Sequence, residues 1–216
     1  MPETALKNIA ELAAHPSSLF ALLGTALLIL ALIYSKKTKL NTPLLVHVGL
    51  MLALTVILHQ FRLYHMPQGG SITLGGMIPL LFIAFRYGPG VGYLAGFLYG
   101  MINLLQDPFV MHPVQVLFDY PLPYMALGLA GYFKDRFLLG ACIGIFGRFI
   151  CHYISGIVFF ASYAPAGTSP YLYSLLFNAA YLVPELLICL FIIKVLPVRR
   201  LLLQMHNTTV NNFSYK

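Results

Sequence analysis

The sequence predicts an all-α integral membrane protein. Three observations carry this. Of its 216 residues, 59% are hydrophobic and only 9% are charged, far below the roughly 25% charge of soluble domains. Mean hydropathy is +0.82. The apolar runs are continuous rather than alternating, which excludes a transmembrane β-barrel and leaves helices as the way to satisfy the backbone in lipid.

Seven apolar segments follow in order: 18–35, 42–61, 73–86, 89–105, 114–132, 137–161 and 171–196. The first starts only near Ser18, is followed by Lys36, Lys37 and Lys39, and has no small-x-small cleavage pattern, so it reads as a span rather than a leader. The third is shorter than the roughly 20 residues of a full crossing. It follows PQGGS (Pro67 to Ser71) and is expected to begin inside the membrane. The sixth reads FLLGACIGIFGRFICHYISGIVFFA and carries Arg148, His152 and Gly156 at i, i+4 and i+8, on one helical face. Arginine and histidine are expensive in hydrocarbon and must face a protein interior or a wet cavity. The tail after Pro197 is polar, and its end, NNFSYK, is expected to be unstructured. The predicted organisation is an N-terminal segment 1–41, a membrane domain 42–196 and a tail 197–216.

Charge sets the expected orientation. With the N-terminus outside, the inner side receives Lys36, Lys37, Lys39, Arg86, Lys134, Arg136, Lys194, Arg199, Arg200 and Lys216. The outer side receives only Lys7 and Arg62, and Arg148 is buried. This positive-inside bias predicts a multi-pass membrane protein with a cytoplasmic C-terminus. The net charge of +7 sits at span ends and does not suggest nucleic acid.

Orientation also sets depth. At about 1.5 Å per residue, Asp119 lies roughly 9 Å below the outer end of its segment, His152 about 13 Å below the end near Ala161, and Asn178 roughly 10 Å down the last segment, with Tyr173 near the top. Polar side chains from three spans at one depth predict a pocket. Arg148 is one turn deeper than His152, and Glu185 falls two turns below Asn178, outside the layer. Phe159, Phe160, Tyr163, Tyr171, Tyr173, Phe177 and Tyr181 crowd the outer rim. A carboxylate among aromatic faces suits a flat, cationic, heteroaromatic ligand. Catalytic chemistry is not predicted. Ser155 lies three residues after His152 without a hydrolase context, and GxGxxG and phosphate-loop motifs are absent. His112, His152 and Asp119 do not make a recognisable metal motif, and Cys142, Cys151 and Cys189 have neither zinc nor disulfide spacing.

The segments PQGGSITLGGMIPLLFIAFRYG (67–88), HPVQVLFDYPL (112–122) and RFICHYISGIVFFASYAPAGTSPYLYSLLFNAAYLVPE (148–185) closely resemble the thiamine-specific S component of energy-coupling factor transporters. The resemblance covers about residues 42–196. It implies a six-helix S-component bundle that captures thiamine from outside, then docks on a transmembrane T component with two ATPase subunits. It implies no enzymatic activity and no cofactor. Residue by residue, it assigns ligand binding to Asp119 and Tyr120 of the HPVQ…DY motif, to Arg148, His152 and Gly156 of the next, to Tyr173 and Asn178 of YS…N, and to the aromatic position Phe160. That last position is often Trp in the family, and some members have Glu at the position of Asp119; this chain has no Trp. Segment 18–35 is one extra N-terminal transmembrane helix. The helix that docks on the T component in the family offers here only Gly49 and Ala53 as a small-xxx-small pair.

Other readings of the same residues remain. Asp119 could pair with Arg148 structurally, His152 could bond a helix carbonyl, and Tyr173 and Asn178 could be interhelical glue. Gln68 to Ser71 could be a lid or a plain turn. Glu185, His47 and His59 are read as interhelical hydrogen-bonding residues. The alternative functions are an S component or carrier for another cationic heteroaromatic vitamin or precursor, or an intramembrane enzyme using Asp119 and His152. A carrier is expected to show repeats or matched broken helices, and an enzyme a nucleophile or metal set.

Overall fold

The structure, a computed structural model, describes residues 16–36, 38 and 41–211. The expected helices form. Helix α1 spans Pro16–Ser35, α2 Thr42–Gln60, α3 Ile78–Tyr87, α4 Pro89–Gln106, α5 Pro113–Asp119, α6 Pro121–Ala126, α7 Phe137–Phe159, α8 Pro170–Val195 and α9 Val198–Asn211. By length and composition, α2, α7 and α8 are each long and apolar enough to cross a membrane. Large apolar side chains such as Leu50, Phe146 and Phe191 remain exposed on the outside of the bundle, as lipid-facing residues must.

Local chemistry sets most boundaries. Asn41 caps α2 by accepting from Leu44 N at 3.0 Å, and Ser169 caps α8 by accepting from Leu172 N at 3.2 Å. Gly88, at φ 87°, separates α3 from α4 in a conformation that favours glycine. Helix α3 has only 10 residues, and every residue from Ile78 to Phe85 is buried. It is short because protein surrounds it.

Three features depart from the expected elements. First, residues between α2 and α3 form a small antiparallel hairpin, β1 (Arg62–His65) and β2 (Ser71–Thr73), closed through Gly69 and Gly70 at φ 87° and 88°. Second, segment 114–132 is not one helix. Pro121 has no N–H to give to Leu117 O, and it disfavours the helical conformation of the residue before it. Tyr120 stays on the helical side but is distorted to φ −118°, ψ −76°, and α5 ends there. The chain restarts as α6 and tightens into a 3-10 helix, Leu127–Tyr132. Third, the tail is helical to Asn211. Val198 is buried, and Leu201 and Leu202 pack on the core; residues 212–216 lie outside the described residues.

The broken segment sits tightly on α4. A Cβ on Gly92, Gly96 or Gly100 would lie 2.7 Å from Gly128 Cα, Met125 Cα or Pro121 Cα respectively. Glycine every fourth residue therefore lets two backbones approach, which is how helices associate where no water drives them together. Helices α7 and α8 form the other extensive contact, and α1 packs on α4, α5 and α6. Gly24 of α1 meets Phe118 and Leu117, and the Ser35 hydroxyl bonds Ala31 O and Gly90 O, each at 2.8 Å.

Glycine substitutions should separate the two kinds of position. Gly100→Ala should cost about 1–3 kcal/mol through overpacking. Gly49→Ala, which meets nothing within 4 Å, should be neutral or stabilising by roughly 0.5–1 kcal/mol. Thermal unfolding in detergent checks both; equal melting temperatures would contradict the close approach.

Candidate ligand-binding site

The walls come from α2, the hairpin, α4 and its following loop, α5, α6, α7 and α8. They enclose a cavity lined by all eight residues singled out in the sequence: Asp119, Tyr120, Arg148, His152, Gly156, Phe160, Tyr173 and Asn178. The lining also includes His59, Arg62, Gln68 to Ser71, Asn103, Asp107, Phe109, Gln115 and Tyr124.

One run of polar contacts organises the wall. Arg148 Nε donates to His152 Nε2 at 3.4 Å. Arginine can only donate, so His152 Nε2 is an acceptor and the ring proton sits on Nδ1. Nδ1 then donates to Asp119 Oδ1 at 3.3 Å. The other carboxylate oxygen, Oδ2, accepts from Gln115 Nε2 at 2.6 Å. At its opposite end Arg148 Nη2 donates to Tyr124 OH at 3.3 Å, with the guanidinium carbon 4.4 Å from the centre of that ring. Arg148 is 6% exposed, and among the described residues no carboxylate lies within ion-pair distance of it. Asp119 therefore does not pair with Arg148 directly; His152 stands between them.

The same elements hold the mouth. Gln115 Oε1 accepts from Met111 N at 3.0 Å, while its amide donates to Phe109 O at 2.9 Å. Tyr120 OH accepts from Phe109 N at 2.6 Å and donates to Asp107 O at 2.8 Å. These bonds wrap the loop before α5 around the residue that presents Asp119. Phe109 in turn stacks on Phe160, with ring centres 5.7 Å apart. Phe160 follows the last residue of α7 and is 8% exposed, so it is a buried wall rather than part of an outer belt.

Gly156 and Asn178 join α7 to α8. A Cβ on Gly156 would fall on the Ser174 hydroxyl. Asn178 Nδ2 donates to Ser174 O at 2.9 Å and to His152 O at 3.3 Å, and its Oδ1 accepts from Tyr181 OH at 3.0 Å. The amide thus supports the backbone that carries His152. Tyr173 faces the cavity beside Phe177, with ring centres 5.7 Å apart.

Below this layer Glu185 accepts from Thr73 N, anchoring the base of the hairpin to α8. Arg62 and Asp107, paired at 2.8 Å, tie the hairpin to the end of α4. Gln68 to Ser71, at the tip of this hairpin, line the cavity. His47 bonds Tyr87 OH between α2 and α3, as an interhelical residue does. His59 bonds within its own helix and also lines the cavity, which the sequence reading did not assign. His112 caps α5 through Nδ1 and stacks on Phe159. Among the described residues, no group of three or more His, Cys, Asp or Glu is arranged to hold a metal ion.

Comparison with known proteins gives concordant results. The family model for thiamine transporter protein (Thia_YuaJ) matches residues 45–205. The chain is 36% identical over 171 residues to the thiamine transporter ThiT of Bacillus subtilis, covering 70% of this chain and 88% of that protein. It is 31% identical over 123 residues to the thiamine transporter ThiT of Lacticaseibacillus paracasei, covering 48% of this chain and 61% of that one. A solved structure of ThiT from Listeria monocytogenes superposes with a TM-score of 0.65 at 25% identity, covering 73% of this chain and 93% of that chain.

Proposed function

The chain belongs to the thiamine transporter family, and on that premise we propose that it is the S component of an energy-coupling factor transporter, which captures thiamine and delivers it through partner subunits. It is a transport protein of the membrane, not an enzyme. The observation that carries the binding reading is the cavity itself. One carboxylate, held by His152 and Gln115, faces a chamber walled by Phe160, Phe109 and Tyr173. A cationic, flat ligand gains from both, by charge at Asp119 and by ring contact at Phe160.

In this reading thiamine enters from outside, the face that carries the fewest basic residues, and the C-terminus is cytoplasmic. Release inward requires a T component and two ATPase subunits. The ligand-binding set is Asp119, Tyr120, Arg148, His152, Gly156, Phe160, Tyr173 and Asn178, with distinct roles. Asp119, Phe160 and Tyr173 meet the ligand. Arg148 and His152 orient Asp119. Tyr120, Gly156 and Asn178 hold the walls in register.

Calorimetry on purified protein tests the reading: thiamine should bind saturably with no ATP present. Absence of binding in folded protein, or equal binding of unrelated vitamins, rejects it. Uptake in cells should appear only when a T component and its ATPases are supplied; uptake by the single chain would contradict the S-component role.

Two substitutions probe the pocket. Asp119→Asn should weaken thiamine binding by on the order of tenfold to a hundredfold, because a charge-assisted hydrogen bond is worth roughly 1.5–3 kcal/mol. Glu185→Gln, which keeps an acceptor for Thr73 N outside the cavity, should leave the affinity nearly unchanged. Equal losses would make Asp119 a structural residue.

Phe160→Ala should also lower affinity, by about 0.5–1.5 kcal/mol beyond the lost contact area. Phe160→Trp should be tolerated or improve it. An alanine variant with unchanged titration would remove Phe160 from the binding wall.

A further inference from the structure

A second cleft, of about 590 Å³, opens where α4 and α7 begin, at the opposite ends of these helices from Asp107 and Phe160. It is lined by Tyr34 of α1, by Pro89 at the start of α4, and by the run Gly131–Arg136 that leads into α7. Packing fixes its sides. The Ser35 hydroxyl donates to Gly90 O, and Thr38 lies against Gly90, so the end of α1 is seated on the start of α4. A Cβ on Gly131 would fall 2.5 Å from Pro89 N, so the 3-10 helix is seated there too. The Tyr34 ring meets Tyr93 edge-on at 5.9 Å, and its hydroxyl meets that of Tyr132.

The cleft is cationic. Lys134, Asp135 and Arg136 are exposed, and among the described residues none of the three is in an ion pair. The Lys134 ammonium lies over the turn between α3 and α4, 3.7 Å from where a Cβ on Gly88 would stand. Asp135 offsets one of the two cations and leaves the cleft positive. Lys36, two residues beyond Tyr34, is exposed as well. Tyr34 and Tyr132, 41% and 57% exposed, add hydroxyl donors, and tyrosine is a residue of the headgroup level. These groups suit an anion. The surface leading away from them suits a hydrocarbon chain. Leu30, Leu27 and Leu23 follow Tyr34 back along α1 at steps of four, three and four, hence on one face, and all three are exposed. A soluble anion would leave that stripe unused.

We propose that this cleft binds an anionic phospholipid of the inner leaflet, its phosphate held by Lys134, Arg136 and the tyrosine hydroxyls and one acyl chain lying along the Leu23–Leu27–Leu30 face of α1. Basic pockets between helices on the cytoplasmic side bind anionic headgroups in this way. The charge bias of the sequence puts this end of the bundle inside, together with Arg86, Lys194, Arg199 and Arg200. A lipid seated here touches α1 on one side and the entry to α7 on the other. It would therefore tie the helix that precedes the family match to the bundle that carries it. The inference is independent of the thiamine reading.

The test takes the full chain in a neutral detergent and titrates it with dioleoylphosphatidylglycerol, dioleoylphosphatidylcholine or inorganic phosphate, read by native mass spectrometry and by melting temperature. Phosphatidylglycerol should give a saturable one-to-one adduct and raise the melting temperature; the other two should do neither. Lys134→Gln combined with Arg136→Gln should weaken phosphatidylglycerol binding on the order of thirtyfold, from roughly fivefold per cation. Arg199→Gln combined with Arg200→Gln removes the same charge from the same side and should leave that binding unchanged. Equal weakening by the two double variants overturns the proposal in favour of diffuse attraction, and so does unchanged binding in the first. Equal binding of both lipids by the native protein overturns it whether or not the variants fold. Inorganic phosphate that alone reproduces the melting shift overturns it as well, and makes the cleft a site for a soluble anion.

Discussion

A buried guanidinium governs the site. Arg148 sits inside an apolar bundle, and among the described residues no carboxylate lies within ion-pair distance of it. An uncompensated charge there costs several kcal/mol, so the surroundings must supply dipoles and acceptors. Tyr124 gives an oxygen and a ring face, and His152 gives Nε2. The second of these contacts has a consequence at a distance. By fixing Nε2 as an acceptor, Arg148 commits the histidine proton to Nδ1, and hence to Asp119. Orientation passes from arginine to carboxylate through the tautomer of one ring.

The chain meets these demands by breaking a helix. Asp119 ends α5, and two positions later Pro121 starts α6, so the carboxylate and Tyr124 belong to differently directed pieces of one segment. An uninterrupted helix would place them on one continuous cylinder. The break exposes backbone that must be covered, and Gly92, Gly96 and Gly100 bring α4 close enough to cover it. Close packing, rather than hydrogen bonding alone, then holds the site together. The loop before α5 is closed by Gln115 and Tyr120, which spend their polar groups on main chain at Asp107, Phe109 and Met111.

Much of this was legible in the sequence, and for definable reasons. Hydropathy located the spans, since a long apolar run has few alternatives. Helical spacing put Arg148, His152 and Gly156 on one face, and a common depth brought Asp119, Tyr173 and Asn178 to them. The division of labour among these residues was not legible, because whether Asn178 bonds a ligand or the carbonyl of His152 depends on the distance between α7 and α8. The hairpin escaped notice because β1 has only four residues, all exposed, and no alternation to read. The helix after Val198 was obscured by its polar composition. His59 looked like one more polar residue in a span. Its place in the cavity depends on how α2 meets Tyr99 and Tyr124, a tertiary fact. A signal was present for the broken segment: two prolines in PLP, opposite glycines spaced by four in PGVGYLAGFLYG.

Helix α1, which lies outside the family match, supports the same break. Helix α5 has seven residues, about two turns, which is too short to be stable by its own hydrogen bonds. It must be held from outside on more than one side. His152 and the loop residues hold the side that bears Asp119. The opposite support comes from α1, where Gly24 admits the Phe118 ring and Phe20 meets it edge-on at 6.5 Å. Phe118 is 1% exposed and immediately precedes Asp119 in the chain. Nothing in the composition of segment 18–35 suggests a link to the pocket, because its residues there are glycine and phenylalanine rather than polar groups. Its contribution is shape. A bulky residue at Gly24 would press on Phe118 and, through one peptide unit, on the residue that presents the carboxylate.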